Sequence, residues 1–150
     1  MRSSLLAGLL VIASATPALC WWQYAEWGMS ASRLASASGG RTTPCQPGIA
    51  VCAAPSGGAA PSFYVDGITM VGMPAQAAFA FDGNDRLVQT VVLFPTSDVG
   101  LIENLLVGIH GAALAGSAPK TWNDGRRGST LTAYPAGRGA MILYRPGNVR

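Results

Sequence analysis

The chain has little charge and few of the side chains that carry chemistry. Ten Lys and Arg stand against seven Asp and Glu in 150 residues, a charged fraction of 11% with a formal net of +3. That balance excludes a histone-like polycation, and a hydrophobic fraction of 49% excludes a disordered polyampholyte. Histidine occurs once, as His110, and cysteine three times, as Cys20, Cys45 and Cys52. Their spacing matches no metal shell, so neither a metal nor a cofactor is expected. No apolar run reaches the roughly 20 residues of a membrane-spanning helix. What the chain does have is glycine (19) and proline (10), the residues of turns. Its length suits one domain of ordinary size.

The longest apolar run lies at the start. Residues 5–15 follow the positive Arg2, are interrupted only by Gly8 and Ser14, and lead into SATPALC. Those small and helix-breaking residues are what a signal peptidase requires, and a buried N-terminal helix would fit them poorly. Residues 1–20 therefore read as a signal peptide cut after Ala18 or Cys20, and residues 21–150 as a single exported domain, periplasmic or secreted, without a transmembrane segment. Cys20 raises lipid anchoring as a second route. A lipidation site has a small residue directly before the cysteine and a leucine-like one three before it; Leu19 and Pro17 hold those places here. The flank argues for a cleaved, unanchored chain.

Cleavage after Cys20 leaves Cys45 and Cys52, an even pair in an oxidising compartment, where a disulfide is the default. Between them, Pro47-Gly48 is a turn suited to bringing the two Cβ atoms together. A metal site would lack further ligands and a redox dithiol needs closer spacing, so both are weaker readings. The bond would pin residues 40–62, a stretch rich in Gly, Pro, Ser and Ala that is long for an unstapled loop.

Periodicity supplies the elements. Ser30 as N-cap and Gly39-Gly40 as stop predict a short helix over 31–38, anchored by Trp27, Met29 and Leu34 because its own Ala and Ser contribute little apolar surface. From Ser62 the texture turns to β. Phe79 and Phe81 alternate with Ala78 and Ala80, DGND turns the chain, and Leu87 to Phe94 make the return strand. Asp82, Asn84 and Asp85 read as turn residues rather than calcium ligands, since the later oxygen donors of a calcium loop are missing. Leu101, Ile102, Leu105, Leu106 and Ile109 recur at helical spacing between Asp98 and Gly116, a stripe expected to face a sheet. APKTW, STLTAYP and AMILYRP are three further strands separated by NDGRRG and AGRG turns. The fold class expected is α+β, an antiparallel sheet with two helices packed on one face, in the order α-β-β-β-α-β-β-β.

The opening EWGMSASRLASASGG, through Gly28, Met29, Ser30, Leu34 and Gly39, resembles that of small bacterial envelope domains of the SmpA/OmlA and β-lactamase-inhibitor-protein-like group. The order of the hairpin, the amphipathic helix, the TW pair, the basic turn and the final LYRP strand is similar to uncharacterised secreted proteins with that opening. The resemblance implies a periplasmic, non-catalytic domain that presents sheet and loops to a partner.

Two binding readings and one catalytic reading compete. An envelope protein partner is suggested by Trp21, Trp22, Tyr24 and Trp27, a residue class favoured at interface anchors, though Trp27 also suits the core. An anionic ligand, a lipid head group or a polysaccharide, is suggested by Lys120, Arg126, Arg127, Arg138, Arg145 and Arg150, which face only Asp124 in the tail. Arg126 and Arg127 join Trp21, Trp22 and Tyr24 as candidate partner-binding residues. Nucleic acid is not expected of an exported chain. Neither is catalysis: His110 reads as a partly exposed helix residue, and Glu26, Asp66, Asp82, Asp85, Asp98, Glu103 and Asp124 are scattered among turns and helix ends.

Overall fold

A computed structural model describes residues 24–53 and 57–147; the proposed leader with Cys20, and Trp21, Trp22 and Arg150, lie outside the described residues. The order is α1 (Ala31–Ala37), β1 (Thr43–Pro44), a 3-10 turn (Ala50–Cys52), β2 (Phe63–Met70), β3 (Met73–Phe81), β4 (Leu87–Phe94), α2 (Val99–His110), β5 (Thr121–Asp124), β6 (Ser129–Ala136) and β7 (Gly139–Pro146). The strands form one antiparallel sheet, β1-β2-β3-β4-β7-β6-β5. The class is α+β, and the order agrees broadly with the expected one, the two-residue β1 being the addition.

The sheet is two meanders joined at a seam. β2-β3-β4 and β5-β6-β7 each pair with their sequence neighbours, and β4 meets β7 with Thr90 opposite Tyr144 and Phe94 opposite Ala140. At the upper limit of that seam Gly139 is obligatory: a Cβ there would collide with the carbonyl oxygen of Phe94. The β3–β4 hairpin turns as its residues require. Asp82 Oδ1 accepts the backbone N–H groups of Asn84 and Arg86, each at 2.9 Å. Asp85, the other turn acid, accepts the N–H of Ala31 at the start of α1.

Ser30 caps α1 by accepting from Arg33 N, and Gly39 and Gly40 take positive φ beyond its end. As expected, this short helix is held by neighbours. Leu34 and Met29 are buried, and the segment before the helix is tied to β4 by Gly28 N–H to Leu87 O and Leu87 N–H to Met29 O. Trp27 is half-buried against the core, its indole N–H donating to Ser129 Oγ at 3.1 Å.

Buried residues form two clusters. The larger joins Leu34 of α1 and Ile102 and Leu106 of α2 to Val65, Phe79, Val92, Trp122, Leu131, Ile142 and Tyr144. The smaller contains Val51 with Ala78, Val91, Leu93, Met141 and Leu143. Since alternate strand residues point to opposite sides, Ile142 and Tyr144 against Met141 and Leu143 mark the sheet's two faces. The second face is covered by the loop expected to be pinned. Cys45 and Cys52 are disulfide-bonded with Cα atoms 5.8 Å apart, and the turn Gln46 to Ile49 carries Pro47-Gly48 at its centre. Val51 is the plug. Farther on, buried Gln89 accepts from Ala59 N–H and donates to Ala59 O, while Arg145 reaches Gln89 Oε1 and the carbonyl of Gly57.

Two expectations are corrected. The α2 stripe is only partly seated: Ile102 and Leu106 are buried and Leu105 half-buried, but Leu101 and Ile109 are 46% and 53% exposed. Leu101 is turned about 100° from Ile102 and so falls on the flank; Ile109 lies in the last turn and overhangs a crevice between helix and sheet. The first tail strand spans Thr121–Asp124 rather than 118–122. Pro119 has no N–H to donate, and Thr121 N–H goes to Ser117 Oγ, so the ladder begins later and takes in Asn123 and Asp124 of the NDGRRG segment.

Candidate functional site

The end of α2 is fixed over β5. Gly111 N–H closes the last helical turn on Val107 O, and the buried indole of Trp122 donates to Gly111 O at 3.1 Å. This places His110, the last helical residue, beside the β5–β6 turn. That turn is built by Asp124: its Oδ1 accepts Arg126 N–H at 3.1 Å, its carbonyl accepts Arg127 N–H, and its Oδ2 lies 4.0 Å from Arg127 Nε. Asp124 is itself buried, so the two following arginines leave the sheet from a held backbone.

Between these parts lies an open cleft of about 470 Å³, walled by Ile109 and His110 on one side and by Asn123, Asp124, Gly125, Arg126 and Arg127 on the other. Two guanidinium groups against one carboxylate make it cationic. His110 Nε2 is shielded from solvent without a hydrogen-bond partner among the described residues. On the other side of Ile109 and His110 is the apolar crevice, lined also by Met70, Val71, Met73, Leu105, Phe94 and Tyr144, with free space of only about 20 Å³.

Of the residues singled out from the sequence, Arg126 and Arg127 are brought together here. Tyr24 is not: it is half-buried against the larger core, with the Arg41 guanidinium 5.8 Å from its ring centroid. Trp21 and Trp22 lie outside the described residues. The basic tail does not gather into one patch. Lys120 pairs with Glu103 at 2.6 Å, Arg145 is held by Gln89 and Gly57, and Arg138 sits in the β6–β7 turn, at the end of β6 opposite to Arg126 and Arg127. Asn123, Asp124 and Ile109 were missed as site residues, since alternation and turn composition give them ordinary structural roles.

Most of the scattered carboxylates are occupied locally. Glu26 pairs with Arg33, Asp98 caps α2 through Leu101 N–H, and Asp66 accepts from Gly67 N–H and Gln76 Nε2. For Asp82, the backbone N–H of Arg86 is the main reason its carboxyl is held below the ordinary carboxylate range; desolvation opposes it by more than either the Asn84 N–H or the Arg86 charge adds. Among the described residues no three His, Cys, Asp or Glu side chains are grouped to hold a metal ion, and no helix is long and apolar enough to cross a membrane. Set against protein-family models, curated proteins and solved structures, the chain matches none.

Proposed function

We propose that this chain is an exported, non-catalytic interaction module of the bacterial envelope, and that it takes an anionic group in the cleft between the end of α2 and the β5–β6 turn. The observation that carries the reading is the convergence of Arg126 and Arg127 on a cleft shared with Asn123 and His110. Guanidinium forks recognise phosphate, sulfate and carboxylate oxygens bidentately, which suits a lipid head group or an acidic polysaccharide. The cleft offers no hydroxyl or thiol nucleophile, and Asp124 is committed to its turn, so binding is favoured over catalysis. The protein-partner reading through Trp21, Trp22 and Tyr24 has less support, because Tyr24 packs against the core.

Export rests on the signal-like residues 1–20, and the Cys45–Cys52 disulfide is compatible with an extracellular or periplasmic location. In this reading the chain resembles the SmpA/OmlA and β-lactamase-inhibitor-protein-like domains in its helix opening, and both helices cover one face while the disulfide-pinned loop covers the other.

The test is retention of the processed protein on heparin and on anionic vesicles over a salt series. Binding should fade as salt rises, and Arg126→Ala with Arg127→Ala should abolish most of it, each lost charged hydrogen bond contributing about 1.5–3 kcal/mol. A double variant retained like the parent at every salt concentration would remove the cleft from consideration.

A further inference from the structure

The large apolar side chains left exposed among the described residues are Val71, Leu101, Val107, Ile109 and Leu114. Two of them adjoin: Val71, at the tip of the β2–β3 hairpin, lines the same crevice as Ile109 of α2. Leu101 lies on the flank of α2 and Val107 about 160° round the helix from Ile109. Val71 is the most exposed of them, at 55%, and its backbone is strained. It forms the two-residue turn with Gly72 at φ +52 and +76, a left-handed pair in which asparagine or glycine is at ease and a β-branched residue is not. The side chain does not repay that strain by burial. Strain kept at an exposed apolar position points to a contact outside the fold.

Charge completes the picture. Arg126 and Arg127 lie across Ile109 and His110 from this apolar surface, on the adjoining cleft. Glu103, the acid within α2, is paired with Lys120, and Asp98 caps the far end of the helix. The crevice has free space for little more than one water molecule, so it is too tight to take up an acyl chain. The geometry fits the reverse arrangement, in which the protein's apolar rim enters the lipid.

We propose that α2 and the Val71-Gly72 tip dock on an anionic phospholipid bilayer, with Val71 and Ile109 dipping below the head groups and Arg126 and Arg127 binding their phosphates. This rests on the anion reading above and names its source: a membrane surface, held by apolar contact and charge together.

The experiment compares the processed protein with two variants, Val71→Asn plus Ile109→Ser and Arg126→Ala plus Arg127→Ala, and with Val71→Asn alone. Flotation is measured with phosphatidylglycerol/phosphatidylcholine vesicles and with phosphatidylcholine alone, beside heparin elution, thermal melting and sedimentation equilibrium. The expected result is that Val71→Asn melts higher than the parent, because the turn relaxes, yet floats less. The Val71/Ile109 pair should lose at least about tenfold in affinity for the anionic vesicles while eluting from heparin as the parent does; the arginine pair should lose both. Undiminished flotation of the Val71/Ile109 variant would overturn membrane docking while leaving the anion cleft standing. An arginine pair unchanged on both supports would overturn both readings. A parent dimer dispersed by the Val71/Ile109 substitutions would assign the face to a second copy of the chain, and equal flotation with phosphatidylcholine alone would remove the anionic requirement; either overturns the proposal.

Discussion

The two faces of the sheet are closed in different ways. On one, Ile102 and Leu106 of α2 join a broad core with Phe79, Trp122 and Tyr144. On the other, an irregular segment supplies little more than Val51 and Ile49 above Val91, Leu93 and Met141. A helix satisfies its own backbone and needs only an apolar stripe to stay in place. A loop has neither advantage, and here its attachment combines a disulfide, the amide pairing of Gln89 with Ala59 and the reach of Arg145 to Gly57. Covering a sheet with a loop thus takes an internal covalent staple and polar attachments where α2 is seated by apolar area.

The largest expected effect lies on the helix face. Trp122→Ala removes a buried ring and the N–H bond that ends α2, and should destabilise the whole protein by about 3–5 kcal/mol in denaturant melts. Loosening of α2 alone, with the sheet's stability unchanged, would show that the two faces do not differ as described. On the loop face, Cys45→Ser with Cys52→Ser should cost about 2–3 kcal/mol. Amide exchange should rise over residues 45–60 while β3, β4 and β7 stay protected; uniform loss of protection would mean that the staple supports the sheet itself. The smallest effect belongs to the β3–β4 turn, which α1 meets only through the Ala31 N–H on Asp85. Since folding lowers the Asp82 pKa, its contribution is complete above the unfolded-state value of about 3.9 and is lost as pH falls through the lower folded value. Protection of the Asn84 and Arg86 amides, taken relative to their intrinsic exchange rates, should therefore fall only in that acidic window, and a loss of protection near neutral pH would contradict the assignment.

Legibility in the sequence followed locality. The β3–β4 hairpin, the capped α1 and the final two strands were readable because their alternation, caps and turn residues are adjacent in the chain. The disulfide was readable from the Cys45 and Cys52 spacing and the Pro47-Gly48 turn between them. What failed was anything decided by distant packing. The spacing of Leu101 and Ile109 matches that of buried residues, and only the placement of α2 leaves them exposed. Arg126 and Arg127 stood out by charge, but their neighbour across the cleft, His110, is sixteen positions away from Arg126 and was readable only as a helix residue. Covering of the second sheet face had no periodic signal at all, since one valine in a 3-10 turn does most of the filling.

The seam between β4 and β7 also sets an order of events. Each meander closes through neighbours joined by short turns, whereas Thr90 and Tyr144 meet only after α2, β5 and β6 have been synthesised between them. Loop-closure entropy makes this pairing the slow one. Until it forms, two of the most apolar strands of the molecule each present an open edge, the situation in which folding chains aggregate. The expectation is that β6–β7 amides gain protection before those of the seam in pulse-labelled refolding, and that a binder of unpaired strands added during that interval, rather than afterwards, arrests the chain in two unjoined halves.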